Sequence, residues 1–454
     1  MLTSDRRLLV LDDDPTGSQC VHDIAVEFAQ DAALLGSALS RPSTTCFTLT
    51  NSRALDEPDA SRLSAETVRD VVRRLREDCG NEAVHQLHVI SRSDSTLRGH
   101  VIAEPHAIAE VLQDEGLPVD GFLFCPAMLE AGRFTRDDVH YAVVDQETRR
   151  VEDTDFARDA TFGYSTSDLK DFLEERSGGA IHAEDVLSVS LTDVRDGGVP
   201  AVISVLEKAV GGRWVVINAE EYSDMQVVAD AVTELEADGR RFVTRCGPSF
   251  VRPLAGQSDT RILEAADLAS GPDRAAHGLV VVGSHVGLTT KQLEELRRRR
   301  SLTEQEIDVR KVLNPSTRQE HLTRIASQVR QSLEVEDVAI YTSRDLVSTD
   351  DPAESLAIAR SVSDAVVEVV ALVRSAKPSW VIAKGGITSH EVAHQGLGIR
   401  LADVAGQFFP GQISLFRPVE ADSDVLGCPY VVFPGNVGGT GALADVVEQL
   451  QDLP

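Results

Sequence analysis

Leu-Leu-Val-Leu-Asp-Asp-Asp-Pro-Thr-Gly, residues 8–17, joins a short apolar run to a dense polar cluster. Residues 8–11 have the length and composition of a strand buried on both faces. The run stops at three adjacent carboxylates, Asp12, Asp13 and Asp14, followed by Pro15, Thr16 and Gly17. Three neighbouring acids repel one another, so a metal, a ligand hydroxyl or several donors would make an unsolvated cluster tolerable. The competing structural reading is a turn with Asp14 as its cap. In open α/β sheets ligands bind beyond the carboxyl ends of strands, and the cluster stands at such an end.

Comparable apolar runs recur at 45–49, 88–91, 122–125, 214–218, 279–282, 339–341, 380–383 and 430–433, most ending in Gly, Ser, Asn or Asp. Between them, 60–79, 291–300, 317–333 and 352–375 carry helical periodicity. Strand alternating with helix predicts an α/β protein whose mostly parallel sheets are flanked by helices. A chain of 454 residues exceeds one ordinary core and predicts two domains. The polar stretch 255–277, with its Gly and Pro, precedes a fresh apolar strand. It is read as the boundary: domains at 1–255 and 277–454, with a linker at 256–276.

No run approaches the ~18 apolar residues that suggest a membrane span. The opening MLTSDRRLLVLDDD meets charge where the apolar part of a signal peptide would continue, so a cytoplasmic protein is expected. Cys20, Cys46, Cys79, Cys125, Cys246 and Cys428 are scattered, with no CxxC. That argues against a zinc site or disulfide framework and for small buried side chains in a reducing compartment. A net charge of -29 disfavours nucleic acid and anionic membranes as partners, and the sequence leaves open whether the chain forms a homo-oligomer. An anionic ligand would need a local basic pocket.

A second polar cluster, ISRSDSTLRGH at 90–100, again follows a strand. Asp94, Ser95 and Thr96 suit the hydroxyls of a polyol. Arg92 and Arg98 suit a carboxylate, which guanidinium binds bidentately. A capped helix start explains one such residue but not their density. A third cluster, FCPAMLEAGRFTRDDVHY at 124–141, offers Arg133, Arg136, His140 and Tyr141, and reads equally well as a polar loop.

In the C-terminal half three strands run into Gly-rich loops and then helices: VVVGSHVGLTT at 280–290, IAKGGITSH at 382–390 and FPGNVGGTGA at 433–442. Backbone N–H groups at helix starts bind phosphate without much positive charge. One such loop is usually a turn; three in one domain predict a nucleotide site. None is GxxxxGK[ST], and none is GxGxxG with a following ribose acid, so neither a P-loop nor a dinucleotide fold is expected.

Together these segments resemble the four-carbon acid-sugar kinase family, whose members phosphorylate threonate, erythronate or 3-oxo-tetronate with ATP. The family's DDxTG looks like Asp13, Asp14, Thr16 and Gly17, and its DSTLRG like Asp94, Ser95, Thr96, Leu97, Arg98 and Gly99. Arg92 stands where members often carry a lysine. FARDATFGYSTSDL at 156–169 is similar to the family's middle stretch. Its Gly-Gly-x-Thr-Ser is similar to Gly385, Gly386, Ile387, Thr388 and Ser389, and its Gly-Asn-x-Gly to Gly435, Asn436 and Gly438. Gly283 and Ser284 represent a third loop, where His285 and Val286 replace small or hydroxyl residues.

The resemblance implies a sugar-acid domain followed by a nucleotide domain, with the active site in the cleft between them. It implies ATP and Mg²⁺, with the metal ligands left open, and a 4-phosphate product. Arg98, helped by Arg92, would clamp the substrate carboxylate, beside Ser95, Thr96 and Gly99. Asp13, Asp14 and Asp94 would hold hydroxyls, one of them acting as base. The phosphates would lie on Ser284, residues 385–389 and residues 435–438. Two rivals stand beside this reading. Asp12-Asp13-Asp14-Pro15-Thr16 fits the DxDx(T/V) of haloacid-dehalogenase-like phosphatases, with Asp12 as nucleophile and Asp14 as acid/base. A non-catalytic sugar-acid sensor would also use two α/β domains.

Overall fold

A computed structural model describes residues 5–14, 17–144, 146–283, 287–343, 352–435 and 437–451. The chain divides into two compact units, Met1–Thr260 and Arg261–Pro454.

The strands of the first unit are β1 (Arg7–Asp12), β2 (Ile24–Glu27), β3 (Thr44–Leu49), β4 (Leu87–Arg92), β5 (Gly121–Cys125), β6 (Arg133–Arg136), β7 (Val139–Val144), β8 (Glu147–Arg150), β9 (Leu187–Val189), β10 (Arg213–Ile217) and β11 (Phe242–Cys246). Its main sheet runs β2-β3-β1-β4-β11-β5-β10-β9, and neighbouring strands in this order pair parallel. Every residue of β1 is buried, which is why its sequence is apolar without alternation. Leu9 and Leu11 share a core with Val68, Val71 and Leu75 of helix Glu57–Cys79 and with Ile108, Val111 and Leu112 of helix Ala103–Asp114. The long helix starts where the Asp56 carboxylate accepts from Asp59 N and stops at Gly80, whose φ of 83° suits glycine.

The chain leaves β1 for β2 and β3 on one side, then crosses to β4 on the other. The crevice beyond the carboxyl ends of β1 and β4 is therefore a topological switch point, the usual ligand position in such sheets. Asp12 and Arg92 are register partners there.

Residues 124–141 are not a polar loop. They include β6 and part of β7, which with β8 make a separate antiparallel sheet. The central strand β11 has no counterpart among the apolar runs, because FVTRC carries a fully buried Arg245. Five cysteines are buried, but Cys79 is exposed at the end of its helix.

The second unit contains β12 (Leu279–Val282), β13 (Thr303–Ile307), β14 (Val338–Thr342), β15 (Val381–Lys384), β16 (Leu401–Phe409), β17 (Gln412–Glu420) and β18 (Tyr430–Phe433). Their order is β13-β14-β12-β15-β18-β17-β16. The first five are parallel, and the β16–β17 hairpin joins antiparallel to β18. β12 lies between β14 and β15, so a second switch point falls at the carboxyl ends of β12 and β15. Leu263 and Leu268 pack into this unit's core, so part of 256–276 folds with it.

Candidate active site

At the first switch point carboxylates and guanidiniums interleave. Arg92 Nη1 donates to Asp12 Oδ1 at 2.6 Å and to Asp13 Oδ1 at 3.4 Å. Arg53 Nη2 donates to Asp13 Oδ1 at 2.7 Å, and Arg53 Nη1 reaches Asp14 Oδ2 at 3.4 Å. Arg245, from β11, lies 3.8 Å from Asp13 Oδ2 while its Nη1 binds Glu104 and the Ser91 hydroxyl, each at 2.6 Å. Asp13 is thus hemmed in by three guanidiniums. Asp14, with 31% of its side chain exposed, is the accessible member of the trio.

Asp12 is fully buried. Burial, reinforced by Asp13 and Asp14 and opposed by Arg92, pushes its carboxyl up to about 7. Its Oδ2 has no hydrogen-bond partner among the described residues, and Gly17 fills the space beside it: a Cβ there would lie 2.1 Å from that oxygen. Asp12 is thus walled in by its neighbours, a poor position for the exposed nucleophile that the phosphatase reading requires.

The DSTLRG turn is held from both sides. Leu97 and Gly99 adopt φ of 67° and 108°. His140 Nε2 donates to Ser95 O at 2.9 Å while its Nδ1 accepts from the Thr135 hydroxyl. Burial pushes the imidazole down to about 4, so it stays neutral. Tyr164, from the stretch at 156–169, donates to Thr96 O at 2.9 Å. Arg98 Nε donates to Asp94 Oδ2 at 2.7 Å, and the Thr96 hydroxyl binds the same oxygen. Burial would raise Asp94, but Arg53 and Arg98 outweigh it and hold the carboxyl well below the usual range.

Arg92 and Arg98 therefore do not form a free pair of clamps. Arg92 is buried against Asp12 and Asp13, and Arg98 is committed to Asp94 and, at 3.7 Å, to Asp159. Arg53, Glu104 and Arg245 were not apparent from the sequence. Arg53 follows β3 at the same sheet end, and that position was the available signal.

In the second unit the described parts of the three loops meet. A Cβ on Gly283 would lie 2.2 Å from Thr388 Oγ1, so the first loop passes directly beneath the second. Thr289 Oγ1 donates to Gly435 O at 3.1 Å, and Gln292 Nε2 donates to the carbonyls of Val437 and Gly439. Gly385, at φ 125°, leads into helix Gly386–Glu391, and Gly438 has φ 83°. Ser389 is buried and bonds backward, its hydroxyl donating to Ala383 O or Gly385 O. Ser284 and Asn436, like Thr16, lie outside the described residues. Lys384, also not singled out from the sequence, is buried with Nζ 2.6 Å from Pro434 O and 4.0 Å from the Phe433 ring centre. Burial pushes its ammonium down to about 7.

Residues 8–254 match the sugar-binding N-terminal domain family, and residues 279–443 match the nucleotide-binding C-terminal domain family. The chain belongs to the four-carbon acid-sugar kinase family. Within it, the chain is 26% identical over 292 residues to a D-erythronate kinase of Heliobacterium modesticaldum. That match covers 63% of this chain and 57% of the relative, little more than half its length. Two solved structures share the family fold. A Salmonella typhimurium protein described as a tRNA synthase superposes with a TM-score of 0.69 at 16% identity, covering 97% of this chain and 98% of that one. A Haemophilus influenzae protein gives 0.65 at 19%, covering 98% and 99%. Among the described residues, no helix is long and apolar enough to cross a membrane.

Proposed function

We propose that this family member transfers the γ-phosphoryl group of ATP to the terminal hydroxyl of a four-carbon sugar acid, D-erythronate being the first substrate to test. The observation that carries the reading is the pairing of chemistries: a polyol-suited acid and guanidinium cluster at one switch point, and converging Gly-rich loops at the other. The similarity to a D-erythronate kinase supports it.

Phosphoryl transfer asks for positioning and charge neutralisation. The second unit's loops offer backbone donors for phosphate oxygens, and Lys384 fixes the loop at Pro434 and Gly435 from beneath. In the first unit Asp14 is the best-placed base. Asp12 is closed off, Asp13 is crowded by three guanidiniums, and Asp94 is tied to Arg98. Asp14 would take the proton of the attacking hydroxyl, with Arg53 limiting the build-up of charge.

The carboxylate trio makes a poor magnesium cage, because Arg53 and Arg92 already occupy oxygens of Asp12 and Asp13. No group of three or more His, Cys, Asp or Glu suited to a metal occurs among the described residues. A magnesium ion would therefore arrive on the nucleotide's phosphates, and no step is assigned to it.

The test is ATP consumption with D-erythronate, followed by locating the phosphate on the product. Phosphate on the terminal oxygen supports the reading; ATP hydrolysis that ignores the acid contradicts it. A non-catalytic sensor would bind the acid and leave ATP intact.

A further inference from the structure

The family reading needs a cation for the substrate's carboxylate; Arg92 is buried against Asp12 and Asp13, and Arg98 already directs its Nε to Asp94. Arg133, at the start of β6, has no such carboxylate bond. Its ion-pair partners among the described residues are none, and its Nε is buried without a hydrogen-bond acceptor. Its Nη1 lies 3.8 Å from the Met128 sulfur, a weak acceptor. The Ser95 hydroxyl points at the same sulfur from 3.7 Å, so the guanidinium and the hydroxyl converge on one spot beside the DSTLRG turn. Arg133 also lies over the Phe156 ring at 5.6 Å, the ring that Arg98 approaches at 5.4 Å. Burial lowers the Arg133 guanidinium, the direction expected of a cation taken from water without compensation, although Asp94 opposes it.

We propose that Arg133, with the Ser95 hydroxyl beside it, is the carboxylate-recognition site of the sugar acid and sets the preference for acids over neutral polyols. The inference rests on the sugar-acid reading above and names the residue responsible. Phe156 holds the two guanidinium planes, Arg98 fixes Asp94 for the hydroxyl end, and an arriving carboxylate replaces the sulfur as partner of Arg133 and Ser95. A charge-assisted pair is far stronger than an N–H···S contact. The exchange supplies local attraction for an anion despite a chain charge of -29.

The test uses the full chain and its Arg133→Met and Arg133→Lys variants. It reads D-erythronate binding by calorimetry, KM for D-erythronate and for ATP, and binding of erythritol, the uncharged four-carbon polyol. Arg133→Met is expected to weaken D-erythronate on the order of 10- to 100-fold in both Kd and KM. KM for ATP and erythritol binding should be unchanged. Arg133→Lys keeps the charge but loses the planar fork, and should fall between wild type and Met. It also keeps the test open where the Met variant unfolds. Methylguanidinium added to Arg133→Ala should restore part of the lost affinity. If wild type phosphorylates D-erythronate and both variants keep its KM, the carboxylate site lies elsewhere while the kinase reading stands. If wild type neither binds nor phosphorylates any four-carbon acid, the kinase reading fails and the carboxylate site falls with it.

Discussion

Arg92 Nη1 lies 2.6 Å from Asp12 Oδ1, and the two residues face each other across the carboxyl ends of neighbouring parallel strands. The pair ties β1 to β4 at the point where the chain reverses direction through the sheet. Asp12 therefore acts on the fold, whereas Asp14, two residues on, is the accessible carboxylate of the trio.

The buried carboxyl of Asp12 gives a pH signature. Its folded value of about 7 lies above the ordinary 3.8, so the native state holds a proton that the unfolded chain has lost. Stability from this group is complete below about pH 4, falls as pH rises, and levels off above pH 7. Urea midpoints of wild type should decline across that window. Asp12→Asn should flatten the decline, worth up to a few kcal/mol at about 1.4 kcal/mol per pH unit. An identical slope in the variant would assign the proton elsewhere.

Asp13 and Asp14 should part company on mutation. Asp14→Asn is expected to lower kcat by about 10²- to 10⁴-fold with little change in melting temperature, as for loss of a general base. Asp13→Asn leaves three guanidiniums with weakened compensation and should appear first as lost stability. Kinetics and melting of the two variants side by side distinguish the roles.

Gly283→Ala would place a methyl 2.2 Å from Thr388 Oγ1, forcing the first two loops apart. KM for ATP should rise well above wild type while KM for the acid stays put. Adding Thr388→Gly should recover much of the loss. An increase in the acid KM alone would show that these loops do not serve the nucleotide.

Lys384→Met removes the donor to Pro434 O and Gly435 O, leaving two carbonyls of the loop without it. Gly435 O keeps its bond from Thr289, so a loss of about 1–3 kcal/mol is expected from the unpaired Pro434 carbonyl. Nucleotide affinity should fall with it. Thermal melting with and without ATP reads both effects.

Strands buried on both faces were legible because their apolar runs end in polar clusters: β1, β3, β4, β5, β12 and β18 all do so. β11 was hidden by the same residue that makes it useful, since Arg245 interrupts the apolar pattern in order to reach Glu104 and Asp13. The β16–β17 hairpin was hidden because its burial is broken along both strands. At the site, residue types were legible and pairings were not. The sequence shows that Arg92, Arg98 and Arg133 are cations. Only the fold shows that the first two already have carboxylate partners, because those contacts depend on which strand ends lie side by side.

The most direct measurement is ATP consumption by the full chain with Mg²⁺, comparing D-erythronate and other four-carbon acids with their neutral polyols. Turnover with at least one acid and none with the neutral compounds is the expected result. Turnover that is indifferent to the carboxylate, or hydrolysis of a phosphate ester without ATP, would contradict it.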